Sequence, residues 1–348
     1  MTVRERERNR ARERLEALAD GDLGSEEARR AAIDALRPAV GFERWCWPLT
    51  DPGSALATGG IAEFDLWPEL PRLAALEEHG DVTSKPRLAL GPRASVTLSA
   101  ATGGDLARST RWRECLRPYG VGDELMTVCR DRHGCWGSVE LMRDADDRPF
   151  DDADVDLLDS LAPTLGRLLR RSLLRGLQAP ERTARPLPPA TLILGPDLEP
   201  ASWTPAFAAW LDELSFIPPA VYELGVRART PQADATGLPC SARIRTPTGR
   251  WATIEGAALE GANAGQVAIA LREATPEEVV DLLCLAYALT SRERQLVALA
   301  LDGLATKQLA QALCISPYTV QDHLKSIFAK TGVRSRRELV SRLSGRQL

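Results

Sequence analysis

Apolar positions recur along the chain with two different periods, and the switch between them divides it. Residues 4–19 (RERERNRARERLEALA) alternate charge at helical spacing and set Ala11, Leu15 and Leu18 on one stripe. That pattern predicts either a solvated helix laced with i,i+4 ion pairs or a helix that pairs with a partner. Asp20–Gly24 breaks it, and Ser25 is placed to cap a second helix that ends around Pro38 and Gly41. From Phe42 a period of two takes over. FERWCWPLT, ASVTLSA, DELMTVCR and CWGSVELMR read as strands, with short helix and loop between the first two and a turn at Asp131–Gly134 between the last two. Residues 151–176 return to helical spacing, with Val155, Leu158, Leu161, Leu165, Leu168 and Leu169 on one face. Aspartates at the start and arginines at the end suit the helix dipole, and Pro163 predicts a kink.

The Pro-rich stretch at 179–189 reads as an extended linker. A smaller αβ segment, 190–274, follows: TLILGP as a strand, a short helix around TPAFAAWLDEL, then antiparallel strands with a hairpin turn at Thr248-Gly249. Residues 275–289 form a capped connecting helix, and 290–348 are punctuated as four helices. Thr290 with Glu293 is a capping box, Gly303 stops the first helix, Thr306 opens the second, Ser316 and Pro317 start the third, Gly332 ends it, and Ser335 with Glu338 opens the fourth. Leu309, Ala310, Leu313, Ile315, Val320, Leu324 and Phe328 fall where a core requires them, leaving Tyr318, Thr319, Gln321, Asp322, Lys325 and Ser326 facing outward.

Charge sharpens this division. The formal net charge of −4 conceals a tail, Thr290 to Leu348, with ten Lys/Arg against four Asp/Glu, or +6, which leaves −10 for the first 289 residues. An acidic body carrying a basic tail points to a polyanionic partner for the tail alone. Seven scattered cysteines without a C-x-x-C pair suit reduced thiols rather than a disulfide framework or zinc site. No apolar run reaches the ~18 residues of a membrane span, and MTVRERERNR lacks a signal-peptide core, so a cytoplasmic location is expected. The absence of a phosphate-binding G-x-x-x-x-G-K-[ST] loop argues against an ATPase-coupled device, and the N-terminal 120 residues lack the acidic cluster and βα alternation of a phosphoacceptor receiver.

The tail resembles the LuxR-type helix-turn-helix domain over its full length. The stations are Leu289 to Glu293, Gly303-Leu304, Lys307 to Ala310, Leu313 to Ser316, Thr319 to His323, and Lys330 to Val333. The resemblance implies base-edge readers at Gln321, Asp322 and Lys325 and phosphate contacts from Thr306, Lys307, Ser316, Thr319 and His323, with Tyr318 on the same face. It also implies double-stranded DNA, a homodimer on two half-sites and RNA polymerase as partners, with Leu339, Val340 and Leu343 and the long helix of residues 151–175 offered as dimer surface. Asp322 departs from the family's avoidance of negative charge. It either accepts from a cytosine amine or turns away from DNA.

Residues 25–178 resemble the GAF-type sensors that precede such tails in actinobacterial regulators. Arg117 to Gly120, Gly122 to Leu125, Cys135 to Gly137, and Phe150 with Asp154 carry that likeness. Residues 190–274 resemble a PAS domain weakly, without a cofactor signature. The expected fold is therefore multidomain α+β: a GAF-like αβ domain after a charged N-terminal helix (1–24), a smaller PAS-like αβ domain, and an all-α four-helix helix-turn-helix domain at the C-terminus. Trp45, Trp47, Trp112 and Trp136 are either ordinary core aromatics or the walls of a pocket for a small apolar effector. Cys129, His133 and Cys135 lie close in sequence, and an enzyme on the GAF scaffold would use the two cysteines, but no catalytic, metal or cofactor site is expected. The function read from this is a DNA-binding transcriptional regulator, not an enzyme, controlled by a small molecule or partner at the GAF-like domain. The alternative is a body that only dimerises.

Overall fold

The computed structural model describes residues 2–65, 67–175, 185–230 and 237–344. The chain divides into two compact units, Met1–Glu273 and Ala274–Leu348. The first opens with α1 (Val3–Asp20), capped reciprocally by Thr2 and Glu5, and α2 (Ser25–Val40). Gly24, not Ser25, is the cap of α2, which runs through Pro38 to Val40. β1 (Arg44–Thr50), β2 (Ala57–Ala62), α3 (Leu70–His79), α4 (Lys85–Leu90), β3 (Ser95–Thr97), α5 (Leu98–Thr102), β4 (Val121–Asp131), β5 (Gly134–Asp144) and α6 (Asp152–Arg175) follow. Their strands make an antiparallel sheet of order β2-β1-β5-β4-β3.

Two sequence expectations fail here for local reasons. ASVTLSA is a strand for only three residues, because the Thr97 hydroxyl accepts from Ala100 N at 3.1 Å and starts α5. β2, sequence ATGGIA, carries too little bulk to announce itself, and its pairing with β1 defines it. α1 is neither solvated on all sides nor left for a partner. Its Ala11, Leu15 and Ala19 are buried, and Arg4 and Arg8 reach Asp154 of α6 at 2.7 and 2.8 Å. α6 runs unbroken through Pro163 and lies so close to β4 that a Cβ on Gly166 would stand 2.6 Å from the Arg130 carbonyl carbon. Its apolar face covers the unit's own sheet, so the leucines of that face are core.

Of the expected linker, residues 179–184 lie outside the described residues; Pro188 accepts from Trp210 Nε1 at 2.9 Å, and Leu187 packs on the next core. β6 (Ala190–Leu194), β7 (Pro200–Trp203), α7 (Ala206–Leu214), α8 (Pro219–Arg227), β8 (Ser241–Arg245), β9 (Trp251–Ala258) and β10 (Val267–Glu273) complete the first unit. The second sheet runs β7-β6-β10-β9-β8, the same relative order as the first, although the sequence shows no repeat. Both sheets belong to one unit. Arg243 forks onto Asp51 at 2.7 and 2.8 Å, Arg227 reaches Glu78 at 2.7 Å, and Leu56 is buried in the second sheet's core.

The second unit holds α9 (Pro276–Ala286), α10 (Ser291–Leu301), α11 (Thr306–Ala312), α12 (Pro317–Thr331) and α13 (Arg336–Ser344). Ile327, not Phe328, is the buried residue of α12's last turns, and Ile315 is only half-buried. α13 packs on α9 and buries Leu339 and Leu343, so these leucines are core and unavailable as a dimer surface.

Candidate nucleic-acid interface and body cavity

Four helix ends set the geometry of the second unit. The Ser316 hydroxyl accepts from Thr319 N at 3.0 Å and lies 2.8 Å from the Thr319 hydroxyl, which fixes the first turn of α12. Between α11 and α12 the chain turns at Cys314 in the left-handed region (φ 52°), with Cys314 N and Ile315 N donating to the carbonyls of Gln311 and Ala310. Arg292 from α10 donates to the Leu313 carbonyl, bracing that turn. Glu293 does more than cap α10. Its carboxylate also accepts from Ser326 at 2.7 Å and from Lys330 at 2.6 Å, so it clamps α12 against α10. Burial opposes its charge, yet the bonds from Lys330, Ser326 and Thr290 hold it down at about 2. Ser326, expected to face outward, is thus turned inward.

What remains exposed on α12 is Tyr318, at 74% of its accessible area, with Gln321, Asp322 and Lys325. Lys307 and Ser316 are exposed near the turn, and Thr306, Thr319 and His323 are half-buried. The expected DNA-contact residues are thus exposed or half-buried on α11, on α12 and at the turn between them. Lys325 Nζ is 3.4 Å from Asp322 Oδ1, so the unusual acid is paired along its own helix. The face offers donors, one aromatic ring and backbone N–H groups at a helix start, the groups that meet phosphate and base edges.

The first unit contains a cavity of about 240 Å³ between β1, β2, α3 and α8. Its apolar wall includes Pro48, Ile61, Phe64, Leu70, Leu73 and Leu116, and Glu77, Lys85, Arg111, Glu140 and Glu223 line it too. Lys85 Nζ bridges Glu77 at 3.0 Å and Glu140 at 3.1 Å. Arg111 forks onto Glu124 and reaches Thr83 at 3.0 Å. Burial works against the Lys85 charge, but Glu140, Glu77 and Glu223 more than offset it and hold its ammonium above the usual lysine range. Glu223 accepts from Ala57 N at 2.7 Å; burial, then the nearby Glu78 and Glu77, push its carboxyl up to about 7.

None of Trp45, Trp47, Trp112 and Trp136 lines this cavity. Cys46 and Pro48 face it, while Trp45 and Trp47 alternate with them and are buried on the opposite face of β1. Trp136 is buried at the hairpin with its Nε1 on Asp131, and Trp112 donates to Val121 O at 2.8 Å. The Asp123 of the GAF-like motif is structural, its carboxylate accepting from Ser99, Glu124 and Phe150 N–H groups. Cys129 and Cys135 are buried free thiols, and burial pushes both up, the reverse of what a nucleophilic thiolate needs. The cavity acids went unread in the sequence, although Glu140 in the apolar run SVELM was a visible signal of a buried charge.

Residues 287–343 match the family described as bacterial regulatory proteins, luxR family. A monoamine regulon transcriptional regulator of Klebsiella aerogenes is 45% identical over 76 residues, 22% of this chain and 32% of that protein. The transcriptional regulatory protein DesR of Bacillus subtilis is 39% identical over 67 residues, 19% of this chain and 34% of that one. The chain thus spans about a third of the length of these relatives. A crystal structure of Escherichia coli SdiA overlays 96% of each chain at 10% identity and a TM-score of 0.35, a likeness too slight to bear on the fold. Among the described residues no helix is long and apolar enough to cross a membrane.

Proposed function

We propose that the chain is a transcriptional regulator that binds duplex DNA through α12 and is controlled by a small molecule in the body. The observation that carries the first half is the coincidence of the luxR match with a helix-turn-helix whose α12 leaves Tyr318, Gln321, Asp322 and Lys325 exposed. Lys325 and Gln321 read base edges, and Ser316, Thr319, Lys307, Thr306 and His323 meet phosphates. Asp322 accepts from a cytosine amine after exchanging its Lys325 partner. The regulator works in the cytoplasm as a homodimer on paired half-sites, in contact with RNA polymerase, through a surface other than Leu339 and Leu343. The shared strand order of the two sheets supports reading them as a GAF-like and a PAS-like module, and the cavity supports an effector over a purely dimerising body. No enzymatic step is proposed.

Binding of the full chain to selected duplex sites, titrated against salt, tests this. Affinity should fall steeply with salt, Lys325→Ala should weaken binding by about 1–3 kcal/mol, and a fragment ending at Glu273 should not bind. Salt-independent affinity, or binding by the fragment, overturns the proposal.

A further inference from the structure

The cavity has more to say than that a ligand fits. Its cations are already committed: Arg111 to Glu124, and Lys85 to Glu77 and Glu140 together. Arg30, at the cavity's edge, is 2.8 Å from Glu26 on its own helix. Glu223 is only 7% exposed, and its Oε2 accepts from the Ala57 N–H at 2.7 Å. Three carboxyls, Glu77, Glu140 and Glu223, therefore stand about one ammonium, and apart from the Arg30 and Arg111 guanidinium groups the rest of the wall is apolar. A buried negative excess of this kind is costly unless it is protonated or met by a cation.

We infer that this cavity is the effector site and that it takes a small organic cation, an apolar body carrying one ammonium or amidinium group, whose charge lies against Glu223 and the Glu77–Glu140 pair. This rests on the reading of the body as effector-controlled and names the effector's chemical class. The volume is below the roughly 300–1,000 Å³ usual for drug-sized ligands, so the apolar part is compact, on the scale of one ring or a short alkyl chain. Anions are disfavoured by the same carboxyls. The site joins both halves of the body, with Cys46, Pro48 and Ala57 to Ala62 on the first sheet and Pro219 and Glu223 on α8 beside the second, so an occupant bridges them. Without ligand the excess is relieved by protons. Glu223 faces Glu78, Glu77 and Lys85, and Glu140 faces Lys85, Glu77, Glu124 and Arg111; burial raises both carboxyls. A bound cation replaces such a proton, and binding near neutral pH is accompanied by proton release.

The test uses the full chain with three matched probes, benzylammonium, benzyl alcohol and benzoate, and a short alkylammonium, by titration calorimetry at pH 7 in two buffers of different ionisation enthalpy. The ammonium ions should bind saturably and release protons, with at least tenfold preference over the alcohol and more over benzoate. Glu223→Gln should lower ammonium affinity at least tenfold, and Ala74→Leu, which fills the cavity, should abolish it while Trp emission reports an intact body. Equal binding of the alcohol, preference for benzoate, no proton release, or no saturable ammonium binding at millimolar concentration overturns the inference. DNA binding measured on the same samples separates the two failures. Intact DNA binding without ammonium preference sinks the cavity assignment alone, and ammonium binding without any DNA binding sinks the regulator reading alone.

Discussion

Two buried carboxylate sites, one in each unit, treat their charge in opposite ways. In the second unit the one deeply buried acid among the described residues, Glu293, is met by an ammonium, a hydroxyl and the cap of its own helix. In the first unit Glu77, Glu140 and Glu223 share a single lysine, and one carboxyl is left to be protonated. A satisfied acid locks helices into one arrangement; an unsatisfied one leaves a site whose energy changes with what occupies it.

The largest expected effect tests the satisfied acid. Glu293→Ala removes a cap and the clamp on α12 and leaves Lys330 without its partner, so it should destabilise the second unit by roughly 3 kcal/mol at pH 7. All eight tryptophans precede Ala274, so emission should report an unchanged body while hydrogen exchange in α12 accelerates. A uniform loss in both units would erase the comparison.

The pH dependence sharpens it. Glu293, held down at about 2 against an ordinary 4.5, contributes stability that is present above pH 4.5 and lost as pH falls through 2. Glu223, pushed up to about 7 from 4.5, contributes stability that is present below pH 4.5 and lost as pH rises through 7. Glu293 and Glu223 should therefore pull the stability of their units in opposite directions as pH changes. Glu223→Gln keeps an acceptor for Ala57 N and should make the body more stable at pH 8 by up to about 3 kcal/mol, with no change at pH 4. Trp-monitored urea unfolding at the two pH values reads this, and a body whose stability rises from pH 5 to 8 contradicts it.

The smallest effect concerns the turn. Cys314 adopts φ 52° where a side chain is strained, so Cys314→Gly should stabilise the second unit by up to about 1 kcal/mol without altering DNA affinity. A loss of stability, read by circular dichroism, would mean that the exposed thiol contributes contacts the turn geometry does not suggest.

Much of the second unit was legible because its signals are local. Thr290 with Glu293, Gly303, Ser316 with Pro317, and Gly332 each act within one helical turn, so spacing alone places the helices and puts Gln321, Asp322 and Lys325 outside. What the spacing could not show was that Leu339 and Leu343 bury against α9, or that Ser326 turns in to Glu293, because both depend on helices distant in sequence. In the body the β4–β5 hairpin and the length of α6 were equally readable from alternation and helical period. β2, β7 and α8 were not, since short, small-residue segments take their form from the neighbours they pair with. The cavity was the least legible feature. Its Glu77, Lys85, Arg111, Glu140 and Glu223 come from five separate segments, and all but Glu140 read alone as solvated charges. Sequence determined where helices start and which faces are apolar, since those follow from neighbours a few residues away. Only the packing of the two sheets in one unit decided which charges lose their water and must be answered by something else.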